Sequence, residues 1–281
     1  EYALRTSADG RHFRAMGGFV AVVIGGTFCG TAVGGVLAER LGASTTFLVG
    51  AALVAVSALA AINMMSGNDP QPPPTDMPAV SRPRSALTNR RFLGLLVGIA
   101  IPANIMMAAF VWYVVPLALS DLGSRPADIG RVLMIYYLMT ILAAPVAARI
   151  VDHSSGASLL LACGSAISGI GLICLARWYG LWPIVGAVAL AGIGHAIIRA
   201  TQVPLAIKIA TTGARRTTSA KALGALRMWE RAGSAIGLAT TGILVGQYGY
   251  GVTIGLIGSL AVAGTLLFLV TEIVAARLPD G

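Results

Sequence analysis

The chain has 281 residues, of which 56% are hydrophobic and only 11% charged, and its formal charge is +9. A soluble domain needs roughly 25% charged residues to cover its surface, so a water-soluble globule is excluded. The positive charge does not point to nucleic acid, because Lys and Arg fall in short segments between apolar runs, where membrane topology places them.

Most of the chain is apolar runs of about 20 residues, each long enough to cross a ~30 Å hydrocarbon core. Lipid offers the backbone no hydrogen-bond partners, so only helices and closed barrels survive there. The runs are continuous rather than alternating, which selects helices. Cys29, Cys163 and Cys174 lie inside such runs without metal-ligand spacing and read as small buried apolar residues.

The opening Glu-Tyr-Ala-Leu-Arg is polar and lacks both an initiator Met and a signal peptide, so the start reads as cut. A first span follows, from residue 13 or 17 to 37, then a polar turn over 39–46 and a second span over 47–65. Residues 66–88 contain six prolines, which prevents a helix and makes this segment an extended tether. Six further spans are expected at about 92–119, 127–149, 157–177, 182–209, 226–247 and 250–274, mostly joined by short antiparallel turns. The chain thus divides into residues 1–65 with two helices, a linker over 66–91 and a six-helix part over 92–281. The fold class is an all-α membrane protein of about eight transmembrane helices. With this topology one side collects fourteen Lys and Arg residues and the other four, which makes the first side cytoplasmic and places both termini and the linker there.

An internal repeat appears when the first span is laid over the seventh at an offset of 207 residues. Gly26, Gly30, Gly35 and Gly42 then fall on Gly233, Gly237, Gly242 and Gly249, and Leu37 falls on Leu244. Both copies cross in the same direction and end in a short turn. Parallel six-helix repeats are a transporter architecture with the substrate between the halves. The offset sets the start of the first repeat about 115 residues before Glu1, room for four spans of about 20 residues each. The chain is therefore expected to correspond to helices 5–12 of a twelve-helix protein and not to transport by itself.

In the first span, Gly17, Gly26, Gly30, Thr31, Gly34 and Gly35 follow a spacing that resembles the antiporter motif of the major facilitator superfamily, with Thr31 where the family pattern has proline. The glycines let two helix backbones approach closely, and without proline the helix should kink less. The segment from Ala148 to Gly156, with Asp152 and His153, is similar to that family's loop between helices eight and nine, but departs from it at Ala148, at His153 and in the position of the last glycine. The resemblance implies a secondary transporter that works by alternating access. It further implies export of a small organic molecule or drug by proton antiport, from a bacterial inner membrane, with both chain termini cytoplasmic. The implied protein is a monomer whose partners are the substrate, protons and the bilayer, with no nucleic acid, metal or cofactor. A rival of another class is a non-transporting membrane module of a sensory or signalling protein built on the same scaffold.

An ionisable group inside a span is costly unless it faces a cavity or a partner, so each is a functional candidate. His195 and Arg199 are four residues apart and share a helix face, with Gln202 one step further along it. That face is expected to line a central cavity, with Arg199 attracting an anionic group. Alternatively, Arg199 snorkels to the cytoplasmic headgroups. Asn104, Trp112 and Tyr136 are further cavity candidates. Trp112 and Tyr136 also fit an interfacial aromatic belt. Glu230 can pair with Arg227 at i−3, as a gating or structural ion pair at the cytoplasmic edge. No nucleotide loop, metal-spaced cluster or nucleophile elbow is present in the sequence, so an enzyme is not expected.

Overall fold

The computed structural model describes residues 12–65, 89–153, 156–178, 180–211 and 219–277, and within these no side-chain surroundings for 12–24, 64–65, 151–153, 219–220 and 276–277. The described residues are helical throughout, apart from short connections. Six helical runs are long and apolar enough to cross a bilayer. Two of them, His12–Met65 with 54 residues and Ser219–Arg277 with 59, are too long for one crossing. At 1.5 Å per residue each would reach roughly 80–90 Å, nearly three bilayer cores.

Each long run breaks at a single glycine. Gly42 has φ 81° and ψ 162°, and Gly249 has φ 74° and ψ 177°. A residue carrying a Cβ is essentially barred from this conformation. The runs are therefore two helices each: α1 (12–41) with α2 (43–65), and α7 (219–248) with α8 (250–277). Between them lie α3 (Arg90–Asp121), α4 (Pro126–His153), α5 (Ala157–Arg177) and α6 (Leu181–Thr211). This gives eight helices among the described residues, in line with the about eight expected from the sequence. The two breaks are 207 residues apart and share nearly the same dihedrals, an independent sign of the repeat.

Neighbouring contacts show that Gly249 reverses the chain. Gly233 on α7 lies against Ile101, and Gly264 on α8 lies against Gly98, one helical turn away on α3. In a straight helix those two glycines would stand roughly 46 Å apart.

The helix α3 is the axis of the bundle. Phe92, Leu95, Leu96, Ile99, Met106, Phe110, Val114 and Leu119 are all essentially inaccessible. Its start is fixed by Asn89, whose side chain accepts from the N–H groups of Arg91 and Phe92 and whose amide donates to the carbonyl of Ile209 at the end of α6. Along its length α3 widens to π-helical bonding over Leu96–Ala100 and Met106–Val114. Pro102 and Pro116 explain where, because each removes the N–H that the ladder would use one turn earlier.

Helices α3, α5 and α8 meet at their basic ends through Glu272. Its carboxylate receives two bonds from Arg91, at 3.0 and 2.9 Å, and one from the Ser158 hydroxyl at 2.7 Å. At the opposite end α1 crosses α4 where Gly35 meets Gly130, so closely that a Cβ on Gly35 would stand 2.9 Å from the Pro126 carbonyl. The Glu39 carboxylate then accepts the Ala127 N–H at the first turn of α4 and pairs with Arg125 at 3.3 Å.

The three cysteines are not buried as the composition suggested. All are exposed on the surface of the bundle, where an apolar thiol meets lipid as readily as it meets a core.

Replacing Gly249 with Ala forces a Cβ into the barred region and should cost about 1–3 kcal/mol, while Gly246→Ala, with nothing within 4 Å, should fall within about 0.5 kcal/mol of wild type. Thermal unfolding of the two purified variants in detergent checks the contrast.

Candidate functional site

Four of the residues singled out in the sequence form one connected chain across α3, α4 and α6. Arg199 donates from Nε to Nε2 of His195 at 2.8 Å. The His195 ring meets the ring of Tyr136 edge-on, with centroids 5.9 Å apart. Tyr136 meets Tyr137 the same way at 5.1 Å. Trp112 then donates from its indole N–H to the Tyr137 hydroxyl at 3.4 Å. Tyr137, which follows Tyr136 directly and reads from the sequence as aromatic surface of the same kind, completes the line.

The His195 and Tyr136 part of this line lies near the middle of its helices. The midpoint of α6 falls near Ala196, and Tyr136 is within about one turn of the midpoint of α4. Arg199 starts close to that level, and its bond to His195 turns the guanidinium toward the helix N-terminus, away from the basic end. This direction is the reverse of what snorkelling to the basic end requires. The bond also fixes the imidazole. Nε2 is an acceptor, so the hydrogen of a neutral ring resides on Nδ1, and that atom is buried without a partner among the described residues.

Helix packing defines which face Arg199 occupies. Gly192 of α6 touches the Tyr136 carbonyl of α4, and the Thr140 hydroxyl donates to the Gly192 carbonyl. Gly194 packs on Gly164 of α5, and Gln202 reaches Glu230 of α7. At 100° per residue Arg199 projects opposite α5, between the directions of α4 and α7, and it is exposed there. On the other side, an apolar groove of about 320 Å³ lies among α4, α5 and α6, lined by Met139, Leu142, Leu160, Ile193 and Ile197. Such a lining suits acyl chains, and it sets the lipid-facing side of α6 against the polar side.

The other candidates are placed differently. Gln202 is buried and donates to Glu230 Oε1 at 2.8 Å, while Arg227 binds Glu230 Oε2 at 2.8 Å. Gln202 thus joins the Arg227–Glu230 pair and not the aromatic chain. Asn104 is buried and donates to the Ala100 carbonyl of its own helix at 2.9 Å, which engages one of its two amide N–H groups. Of the glycine pattern in α1, Gly35 makes the contact with α4, whereas Gly26, Gly30 and Gly34 have nothing described within 4 Å. Thr31 bonds back to the Thr27 carbonyl at 2.7 Å. Gly17 and Asp152 lie in helices, but their surroundings are outside the described residues. Among the described residues no His, Cys, Asp and Glu group is arranged to hold a metal.

The Arg227–Glu230–Gln202 cluster is asymmetric. Arg227 is half exposed and Glu230 is nearly buried. Arg227→Ala leaves a buried carboxylate with one amide donor and should cost roughly 2–3 kcal/mol. Glu230→Gln removes the buried charge and frees Arg227 toward water, so it should cost less than half of that. The order of the two melting temperatures checks this, and the reverse order contradicts it.

Comparison with known proteins fits these observations. The sequence profile described as Major Facilitator Superfamily matches residues 97–280, from the first π-helical stretch of α3 through α8. No individual curated protein matches the chain. The matched region holds every member of the aromatic and basic chain, and the family consists of transporters rather than enzymes. With its all-helical membrane fold and a profile match over most of its length, the chain belongs to the Major Facilitator Superfamily of membrane transporters.

Proposed function

We propose that the chain is part of a secondary active transporter that works by alternating access and exports a small organic molecule or drug in exchange for protons. The observation that carries this reading is the line Trp112–Tyr137–Tyr136–His195–Arg199, whose Tyr136, His195 and Arg199 stand near the middle of their helices. A polar and aromatic line at this depth is expensive in hydrocarbon and is kept where it meets water or a ligand.

Residues 1–65 are read as the last two helices of one half, 66–91 as the tether and 92–281 as the second half. The shared backbone break at Gly42 and Gly249 supports the repeat. The α1–α4 contact is then an inter-half contact. Gly35 against Gly130, with Glu39 on Arg125 and the first turn of α4, closes the two halves together at the end away from the tether. Rocking about the mid-membrane site would part these helices and expose the polar line to that side. The excess of Lys and Arg at the tether end supports a cytoplasmic position for that end, and a bacterial inner membrane is the setting proposed here. The glycine spacing of α1 supports exchange against protons. The transporter acts as a monomer.

The open reading frame encoding this chain, expressed in inverted membrane vesicles with an acid lumen, should collapse the proton gradient when a transported compound is added. Cysteines placed at Glu39 and Arg125 and bridged by a bifunctional thiosulfonate should abolish that response, and reduction should restore it. A bridged protein that still transports contradicts alternating access. Compound uptake that is indifferent to the proton gradient contradicts antiport.

A further inference from the structure

We propose that Arg199 is the anchor for the acidic group of an organic anion, so that the transported class is amphipathic carboxylates or sulfonates with an aromatic body. This rests on the transporter reading above and narrows its substrate.

The first argument is charge. Arg199 is exposed near mid-membrane, and its hydrogen-bond partner among the described residues is the imidazole of His195. Four of the described arginines, Arg91, Arg125, Arg131 and Arg227, pair with a carboxylate, while Arg40, Arg90, Arg177 and Arg231 meet none among the described residues. Arg199 also pairs with none among the described residues, and it stands within three residues of the midpoint of α6. A guanidinium stays charged at any physiological pH, so a cation at this depth costs several kcal/mol unless an anion or water compensates it.

The second argument is geometry. A guanidinium has five N–H donors in a planar fork, and the bond to His195 uses the one on Nε. The terminal nitrogens keep their donors, the arrangement that takes a carboxylate in two parallel bonds. His195 orients the fork by accepting on Nε2, so it is a positioning residue. It is itself held by the edge of Tyr136 and by burial. Beyond it, Tyr137 and the half-exposed Trp112 supply aromatic surface for the apolar body of the same molecule.

The third argument is direction. The fork turns toward the middle of the membrane and faces away from the apolar groove at Ile193 and Ile197. The groove side is apolar, so the compensating anion comes by way of the opposite, polar face of α6.

The test uses the purified product of the whole open reading frame that encodes this chain, in nanodiscs, and three probes of one shape: 2-naphthoate, 2-naphthalenemethanol and 2-naphthylmethylamine. Isothermal titration should show saturable binding of 2-naphthoate and at least tenfold weaker binding of the alcohol and the amine. Arg199→Gln should weaken 2-naphthoate at least tenfold, and Arg199→Lys should retain part of the affinity. The melting temperature of Arg199→Gln should be equal to or above that of wild type, because an uncompensated charge has been removed.

Equal binding of all three probes, or of 2-naphthoate by wild type and Arg199→Gln, means apolar partitioning and overturns the proposal. Absence of 2-naphthoate binding to wild type also overturns it. A fall in the melting temperature of Arg199→Gln assigns Arg199 a structural partner instead and likewise overturns it. Gradient-coupled transport of a cationic compound that survives Arg199→Gln in vesicles would reject the anion assignment while leaving the transporter reading intact. Gradient-independent behaviour toward every compound would reject that reading itself.

Discussion

Lipid gives two apolar helices no hydrophobic reason to associate, so this bundle depends on crossings where backbone meets backbone. Four of them are formed by facing glycines: Gly35 with Gly130, Gly98 with Gly264, Gly164 with Gly194, and Gly169 with Gly258. At each one, added side-chain carbon would collide with the opposing helix. Close approach at these points sums many small dispersion contacts and carbonyl dipoles that a bulkier residue would forfeit. The placement of the polar line follows from them. Gly164 against Gly194 fixes the rotation of α6 on α5, and that rotation sends Arg199 to the opposite face.

The second organising constraint is backbone bonding. A helix in hydrocarbon cannot end without leaving groups unsatisfied, so turns are confined to the membrane surfaces and made short. Gly42 and Gly249 turn the chain within one residue, in a conformation that only glycine tolerates. Where the ladder must instead be interrupted inside the membrane, at Pro102 and Pro116, α3 widens and stays continuous. Trp112 belongs to the second widened stretch, which shifts its angle relative to a regular helix.

The helix count, the span positions and the break at Gly249 were legible because hydropathy and glycine spacing are local properties of the chain. The 207-residue offset links Gly42 to Gly249 by sequence alone, and the two share one conformation. The grouping of the site was only partly legible. Helical spacing put His195, Arg199 and Gln202 on one face, yet Gln202 is drawn to Glu230 on a helix 28 residues on. Asn104 was chosen for depth alone, and its bond to Ala100 could not be read from depth. The link from Tyr136 to His195 joins helices nearly 60 residues apart and depends on the small residue Gly192 at the crossing. Spacing along one helix cannot report which neighbour lies against it.

The central claim is that α6 has two faces in the membrane, one wet and polar at Arg199 and one lipid-facing at Ile193. The direct measurement is thiol labelling of Arg199→Cys and Ile193→Cys, each in a chain whose Cys29, Cys163 and Cys174 have been changed to Ala. A membrane-impermeant, water-soluble thiosulfonate should modify the cysteine at 199 and spare the one at 193. A lipid-soluble maleimide should show the opposite preference. Equal labelling at both positions, or a water-soluble reagent that prefers 193, would contradict the account.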